Sequence, residues 1–196
     1  TSRASNLVPG DTNGTWDVFV RDRLMGTTER VSVSSSGVQG NDRSGDASMS
    51  RDGRFVAFSS KANNLVPGDT NGAWDIFVRD RVAGTTERVS VSTYGVQGNA
   101  DSPWPGSSAP VISAGGRYVV FESEADNLVP GDFNGVMDVF LRDRLAGTTE
   151  CVSCGGNNGS GDFGLAITPD GRYVAFTSWA TNLVPINAWF VSPGLY

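Results

Sequence analysis

The chain contains no histidine, a single lysine (Lys61) and only two cysteines among 196 residues. Without histidine, Ser-His-Asp and Cys-His catalysis cannot be assembled from this chain, and neither can a histidine-ligated zinc site. Basic clusters are missing too, and the formal net charge is −6. Those two facts argue against nucleic acid and against an anionic membrane surface as partners. No apolar run approaches the roughly 20 residues that a membrane-crossing helix needs, so membrane insertion is not expected. The first residues, TSRASNLVPG, hold neither an initiator methionine nor a signal peptide. Such a terminus is expected from processing or truncation. With 38% hydrophobic and 18% charged residues, the composition still permits a buried core.

What the chain does contain is repetition. The string NLVPGDxNG occurs at Asn6–Gly14, Asn64–Gly72 and Asn127–Gly135, and a shortened copy begins at Asn182. The copies start at 6, 64, 127 and 182, so the spacings are 58, 63 and 55 residues. Both length changes, an insertion at ADSPWPGSSAP and a deletion at CGGNNGSGD, fall between the same two repeat segments. Loops on one side of a stacked unit behave in this way.

One repeat reads as four strands. DASMS and RFVAFSS flank Asp52-Gly53, a strong hairpin signal. WDIFVRD, from Trp74, and TTERVSVS, from Thr85 to Ser92, flank a turn in which Gly84 can take a positive φ. In the last of these strands Val89 and Val91 alternate with Arg88, Ser90 and Ser92, which predicts one buried side. Phe55 to Phe58 are apolar on both faces and belong in the middle of a stack of sheets. No segment shows a helical period, so the domain is expected to be all-β.

Repeated four-stranded sheets with two apolar faces predict a β-propeller. The SxDGRxVAFxS strand pair followed by DxFxRDxxxG resembles the TolB-like propeller repeat, which also occurs in prolyl oligopeptidase and tricorn-type propellers. The resemblance spans essentially the whole chain and implies a binding platform and a preference for six blades. The long KANNLVPGDTNGA loop departs from that pattern and enlarges each blade. Strand counting divides the chain into a half-blade (1–36), two blades (37–94 and 95–154) and a half-blade with an atypical tail (155–196). That is three blades' worth of strands, and propellers need about four to eight. A second copy of the chain completing a six-bladed ring, a longer parent protein, and a head-to-tail filament all satisfy the count. In the tail, Ala188 to Val191 could add an irregular strand or cover an edge.

The strongest site pattern is Asp-x-Asn-Gly-x-x-Asp, present as Asp11, Asn13, Asp17; Asp69, Asn71, Asp75; and Asp132, Asn134, Asp138. Alternating side-chain oxygens, a bending glycine and a closing carboxylate suit calcium. Pro9, Pro67 and Pro130 stand where a leading acidic ligand would be, and an Asn-Gly turn with a capping aspartate explains the same pattern without metal. Leu65 and Val66 packing inward would also hold the loop. Trp16 and Trp74 precede the closing Asp and suit inter-blade packing or a sugar platform. Trp104, between two prolines in the insertion, could be presented to a ligand or could cap a blade edge. The Arg-Asp-Arg triplets at 21–23, 79–81 and 142–144 read as self-neutralised strand ends. Cys151 and Cys154 are too far apart to bond within a regular strand, but a chain that folds back at Gly155 and Gly156 would join them as a disulfide, the alternatives being free thiols or a link between molecules. Together these features predict a non-enzymatic module in the periplasm or outside the cell that recognises a protein or glycan. The rival expectations are a filament subunit and the propeller of a larger peptidase or hydrolase.

Overall fold

Each Asp-Gly or Ala-Gly turn reverses the chain, so strands form as consecutive antiparallel hairpins. The computed structural model describes residues 1–102, 108–184 and 194–195. Strands β1 (Phe19–Asp22) and β2 (Thr27–Arg30) form a two-stranded sheet. β3 (Ser44–Met49), β4 (Phe55–Ser60), β5 (Asp75–Asp80) and β6 (Thr85–Arg88) form a four-stranded meander. A second four-stranded meander is built from β7 (Val111–Ile112), β8 (Tyr118–Ser123), β9 (Asp138–Asp143) and β10 (Thr148–Cys151). β11 (Ser160–Ile167) and β12 (Val174–Ser178) pair with each other, and β13 (Gly194–Leu195) lies on the free edge of β12. We call these sheets blades 1 to 4. Blade 1 holds only the equivalents of β5 and β6, and blade 4 begins with the equivalents of β3 and β4.

The core lies between blades rather than within one. Val18 and Val31 of blade 1 pack on Val56, Phe58, Leu65 and Phe77 of blade 2. The opposite face of blade 2, with Ala57, Ile76 and Val78, packs on Phe121, Leu128 and Phe140 of blade 3. Val120, Val139 and Leu141 then meet Phe176 of blade 4. Alternation along each central strand therefore serves two interfaces, which is why Phe55 to Phe58 of β4 and Tyr118 to Phe121 of β8 form unbroken apolar or aromatic runs. Within the finished blades Phe58 stacks on Phe77 at 5.9 Å and Phe121 on Phe140 at 5.8 Å.

Blades are also joined edge to edge. The amides of Ser44, Ser102 and Ser160 donate to the carbonyls of Trp16, Trp74 and Met137 at 2.8, 2.7 and 2.9 Å. Gly116 has φ +73°, and a Cβ there would lie 2.1 Å from Cδ2 of Phe55 in the preceding blade. The glycine is needed both for the turn and for that close approach.

Several expectations are corrected. The fourth strand of blade 2 stops at Arg88 instead of running to Ser92, and Val89, Ser90, Val91 and Ser92 are all buried. The ladder ends because Ser90 turns its hydroxyl onto Asp75 and Val91 bridges to Gln97 instead. The Arg-Asp-Arg triplets do not neutralise themselves. Asp80 is held by Arg54 and Arg81 by Glu29 of the previous blade, while Arg79 donates to the carbonyls of Ser34 and Gly84. Trp104 and the stretch Ala188 to Val191 lie outside the described residues.

Candidate functional site

The three Asp-x-Asn-Gly-x-x-Asp loops lead into β1, β5 and β9, and each closes on itself. In the second loop Asn71 donates to Asp75 Oδ2 at 3.0 Å and to the Gly98 carbonyl at 2.9 Å, while its Oδ1 accepts the Ala73 amide at 3.1 Å. Ser90 donates to the other oxygen of Asp75 at 2.5 Å and accepts the Ile76 amide. Leu65 is fully buried beneath the loop. Between the two carboxylates lies the guanidinium of Arg88, 3.2 Å from both Asp69 and Asp75. The first loop repeats this arrangement, with Arg30 at 3.2 Å from Asp11 and 3.8 Å from Asp17 and with Asn13 donating to Asp17.

These two loops do not fit calcium. An amide N–H and a guanidinium occupy the directions from which an ion would need oxygen donors, and the arginine already supplies the positive charge. Asp11, Asn13, Asp17, Asp69, Asn71 and Asp75, the residues from which calcium ligation is expected, are here engaged with one another and with Arg30 or Arg88. The third loop differs. Asn134 and Ser153 still donate to Asp138, at 2.7 and 2.6 Å, but Cys151 stands where Arg30 and Arg88 stand. Asp132 and Asp138 are buried without an arginine between them, and Asp132, Asn134 and Asp138 are the residues that could hold a cation there. Cys151 is bonded to Cys154, with a Cα–Cα distance of 5.6 Å. The bond closes because β10 ends at Cys151 and the chain turns at Cys154 and Gly155.

The carboxylates fall into two groups. Burial raises the pKa of Asp69, Asp75 and Asp132 above the ordinary value near 3.8. Asp80 and Asp143 move the other way because an arginine forks onto each, and Asp143 falls to about 2. A depressed carboxylate adds stability above its unfolded pKa and loses it as pH falls towards its folded one. The melting temperature of wild type is therefore expected to exceed that of Arg117→Gln at pH 6, with the gap closing between pH 4 and pH 2. The pair is partly exposed, so the gap corresponds to about 1 kcal/mol or less. Melting curves across that range check this, and a gap independent of pH contradicts it.

The described residues also form a cleft of about 190 Å³ between blades 1 and 2. Its walls are Trp16 and Trp74, with Arg43, Ser44, Gly45 and Asp46 from the start of β3. Trp16 is 39% exposed and Trp74 8%, so one ring is offered to solvent while the other forms the floor. Arg43 lies over Trp74 at 6.0 Å. Asp46 sits at a bulge in β3 with φ +40°, the one positive φ outside glycine among the described residues. Its carboxylate accepts from the buried Ser59 hydroxyl of β4 at 3.4 Å. The repeat spacing singled out both tryptophans. Arg43 escaped notice because the equivalent positions, Asp101 and Gly159, have other chemistry, and Asp46 because its equivalents are Trp104 in blade 3 and Asp162 in blade 4.

Meander blades packed face to face around shared apolar interfaces define a β-propeller, and the chain has the fold of TolB-like propeller repeats. It is similar to TolB from Acinetobacter baumannii, with 18% identity and a TM-score of 0.52 over 92% of this chain and 34% of that one. It is also similar to a structure from a study of two prolyl endopeptidases, with 16% identity and a TM-score of 0.50 over 83% of this chain and 22% of that one. The chain thus spans about a third of the length of the first relative and about a fifth of the second. No family model matches it, and no curated protein does.

Proposed function

We propose that this chain is a non-catalytic β-propeller module that recognises a protein or glycan at the cleft between blades 1 and 2, with a second copy completing the ring. The observation that carries the reading is that Trp16 and Trp74 line one cleft together with Arg43 and Asp46. An exposed indole offers a flat apolar face to a sugar ring or an aliphatic side chain, and the two charged groups fix its polar edge. A cleft of this size suits a single sugar unit or one side chain of a longer ligand. The Cys151–Cys154 disulfide supports a location in the periplasm or outside the cell, since such bonds persist in oxidising compartments. Among the described residues no helix is long and apolar enough to cross a membrane.

The test is binding of the protein to immobilised panels of glycans and of peptides, followed by Trp16→Ala. Trp16 is already part-exposed, so the variant should melt close to wild type. It should also bind about tenfold more weakly, as expected for loss of one stacking contact of roughly 1.4 kcal/mol. Equal retention by wild type and variant, or no retention of either class, rejects the reading. A second reading, the propeller segment of a larger peptidase, is supported by the 22% coverage of the prolyl endopeptidase. A catalytic domain on the same polypeptide decides for it.

A further inference from the structure

Blades 2 and 3 show which contacts a finished blade contains, and the two ends of the array carry opposite halves of them. Inside blade 2, Arg54 forks onto Asp80 at 2.6 to 3.1 Å, and inside blade 3 Arg117 forks onto Asp143 over the same range. The equivalents at the ends are Arg172, ahead of β12, and Asp22, closing β1. Neither makes an ion pair among the described residues.

Contacts between blades leave the same remainders. Arg81 pairs with Glu29 of the preceding blade and Arg144 with Glu87, which leaves Arg23 and Glu150, both exposed and without an ion pair among the described residues. The ring of Phe55 sits against Gly116 of the following blade, and that of Tyr118 against Gly171. What remains is Tyr173, 59% exposed, and Gly53, which no aromatic ring covers. Phe77 and Phe140 are fully buried, whereas Phe19 at the same position is half-buried.

We infer that β1 and β2 of one copy add to β11 and β12 of another to form a four-stranded blade in the register seen between β4 and β5. This rests on the reading above that a second copy completes the ring. Phe55, Val56, Ala57 and Phe58 pair with Asp80, Arg79, Val78 and Phe77. The same register sets Tyr173, Val174, Ala175 and Phe176 opposite the second copy's Asp22, Arg21, Val20 and Phe19. Arg172 then forks onto the second copy's Asp22, Glu150 meets its Arg23, and Tyr173 covers its Gly53. Each of these pairs forms at both junctions of a two-fold dimer. Two chains with three blades' worth of strands each give a closed ring of six, within the usual range of about four to eight.

Each edge now carries a small cap. β13 covers only Thr177 and Ser178, and Ser2 bridges only Asp17. Among the described residues, 173–175 and 19–22 have no ladder partner on these edges, and the caps give way as the longer ladder extends over them.

The test uses the full chain in analytical ultracentrifugation. Arg172→Glu removes no ion pair from the single chain, so its circular dichroism spectrum should match wild type. It sets a like charge against the second copy's Asp22, and the dimer should dissociate at about tenfold or higher concentration than wild type. Arg23→Glu and Glu150→Arg each weaken self-association alone, and mixing the two restores it, because every junction then regains an opposite pair. A dimer unaffected by all three substitutions overturns this register and leaves the completed ring standing. A wild-type chain that stays monomeric overturns both.

Discussion

Replacing Arg88 with methionine is expected to lower the unfolding free energy at pH 7 by about 3–5 kcal/mol, the usual cost of stranding a buried charge by removing its partner. Arg88 stands between Asp69 and Asp75, whose side chains are 4% and 0% exposed. Methionine keeps the volume of the stem but leaves two buried carboxylates facing each other. Both already have raised pKa values through burial, and loss of the guanidinium moves them higher. For a carboxylate raised in the folded state, stability declines as pH rises from the unfolded value near 3.8 through the folded one. The penalty of Arg88→Met should therefore shrink when the pH is lowered from 7 to 4. Denaturant unfolding at the two pH values measures it, and the double variant with Asp69→Asn should recover part of the loss. A penalty below about 1 kcal/mol at pH 7 would show that the arginine is not the counter-charge of these loops.

Phe121→Ala should cost a similar amount, about 3–5 kcal/mol, by leaving a cavity in a core that cannot collapse. Phe121 is fully buried, stacks on Phe140 at 5.8 Å and belongs to the cluster joining blade 3 to blade 2. Its loss therefore loosens an interface between blades as well as one sheet. Whole domains are stable by only about 5–15 kcal/mol, so the variant should sit near the limit of folding. A chevron or urea titration showing a loss under about 1.5 kcal/mol would mean that the blades are held chiefly by their edges and not by these faces.

The hairpins were legible because Asp-Gly and Ala-Gly turns separate runs whose apolar content needs two buried faces. The inward packing of Leu65 and Val66 was legible as well, since they are the adjacent apolar pair of a loop otherwise rich in polar residues, glycine and proline. The role of Arg88 was not. In sequence it follows Thr-Thr-Glu at a strand end, and only the fold brings it back onto a loop more than a dozen residues earlier. The one visible trace is that Arg30 and Arg88 become Cys151 in the copy that also acquires Cys154. The bend after Arg88 was hidden too, because Val89 and Val91 keep an alternating pattern through a segment held by Ser90 and Asp75. Arg43 does not recur, and Asp46 recurs only as Asp162 of blade 4, so the repeat pattern did not mark the pair as walls of the tryptophan cleft. The pairing of Arg54 with Asp80 spans two strands and depends on register, which the triplet Arg-Asp-Arg conceals by offering nearer partners.

The central proposal is that a second copy of the chain completes the ring. Static light scattering coupled to size exclusion, run on the unmodified chain over a range of concentrations, tests it most directly. The account predicts a discrete species at twice 20.7 kDa that persists on dilution. A mass of 20.7 kDa at every concentration, or an open-ended series of larger species, would contradict it.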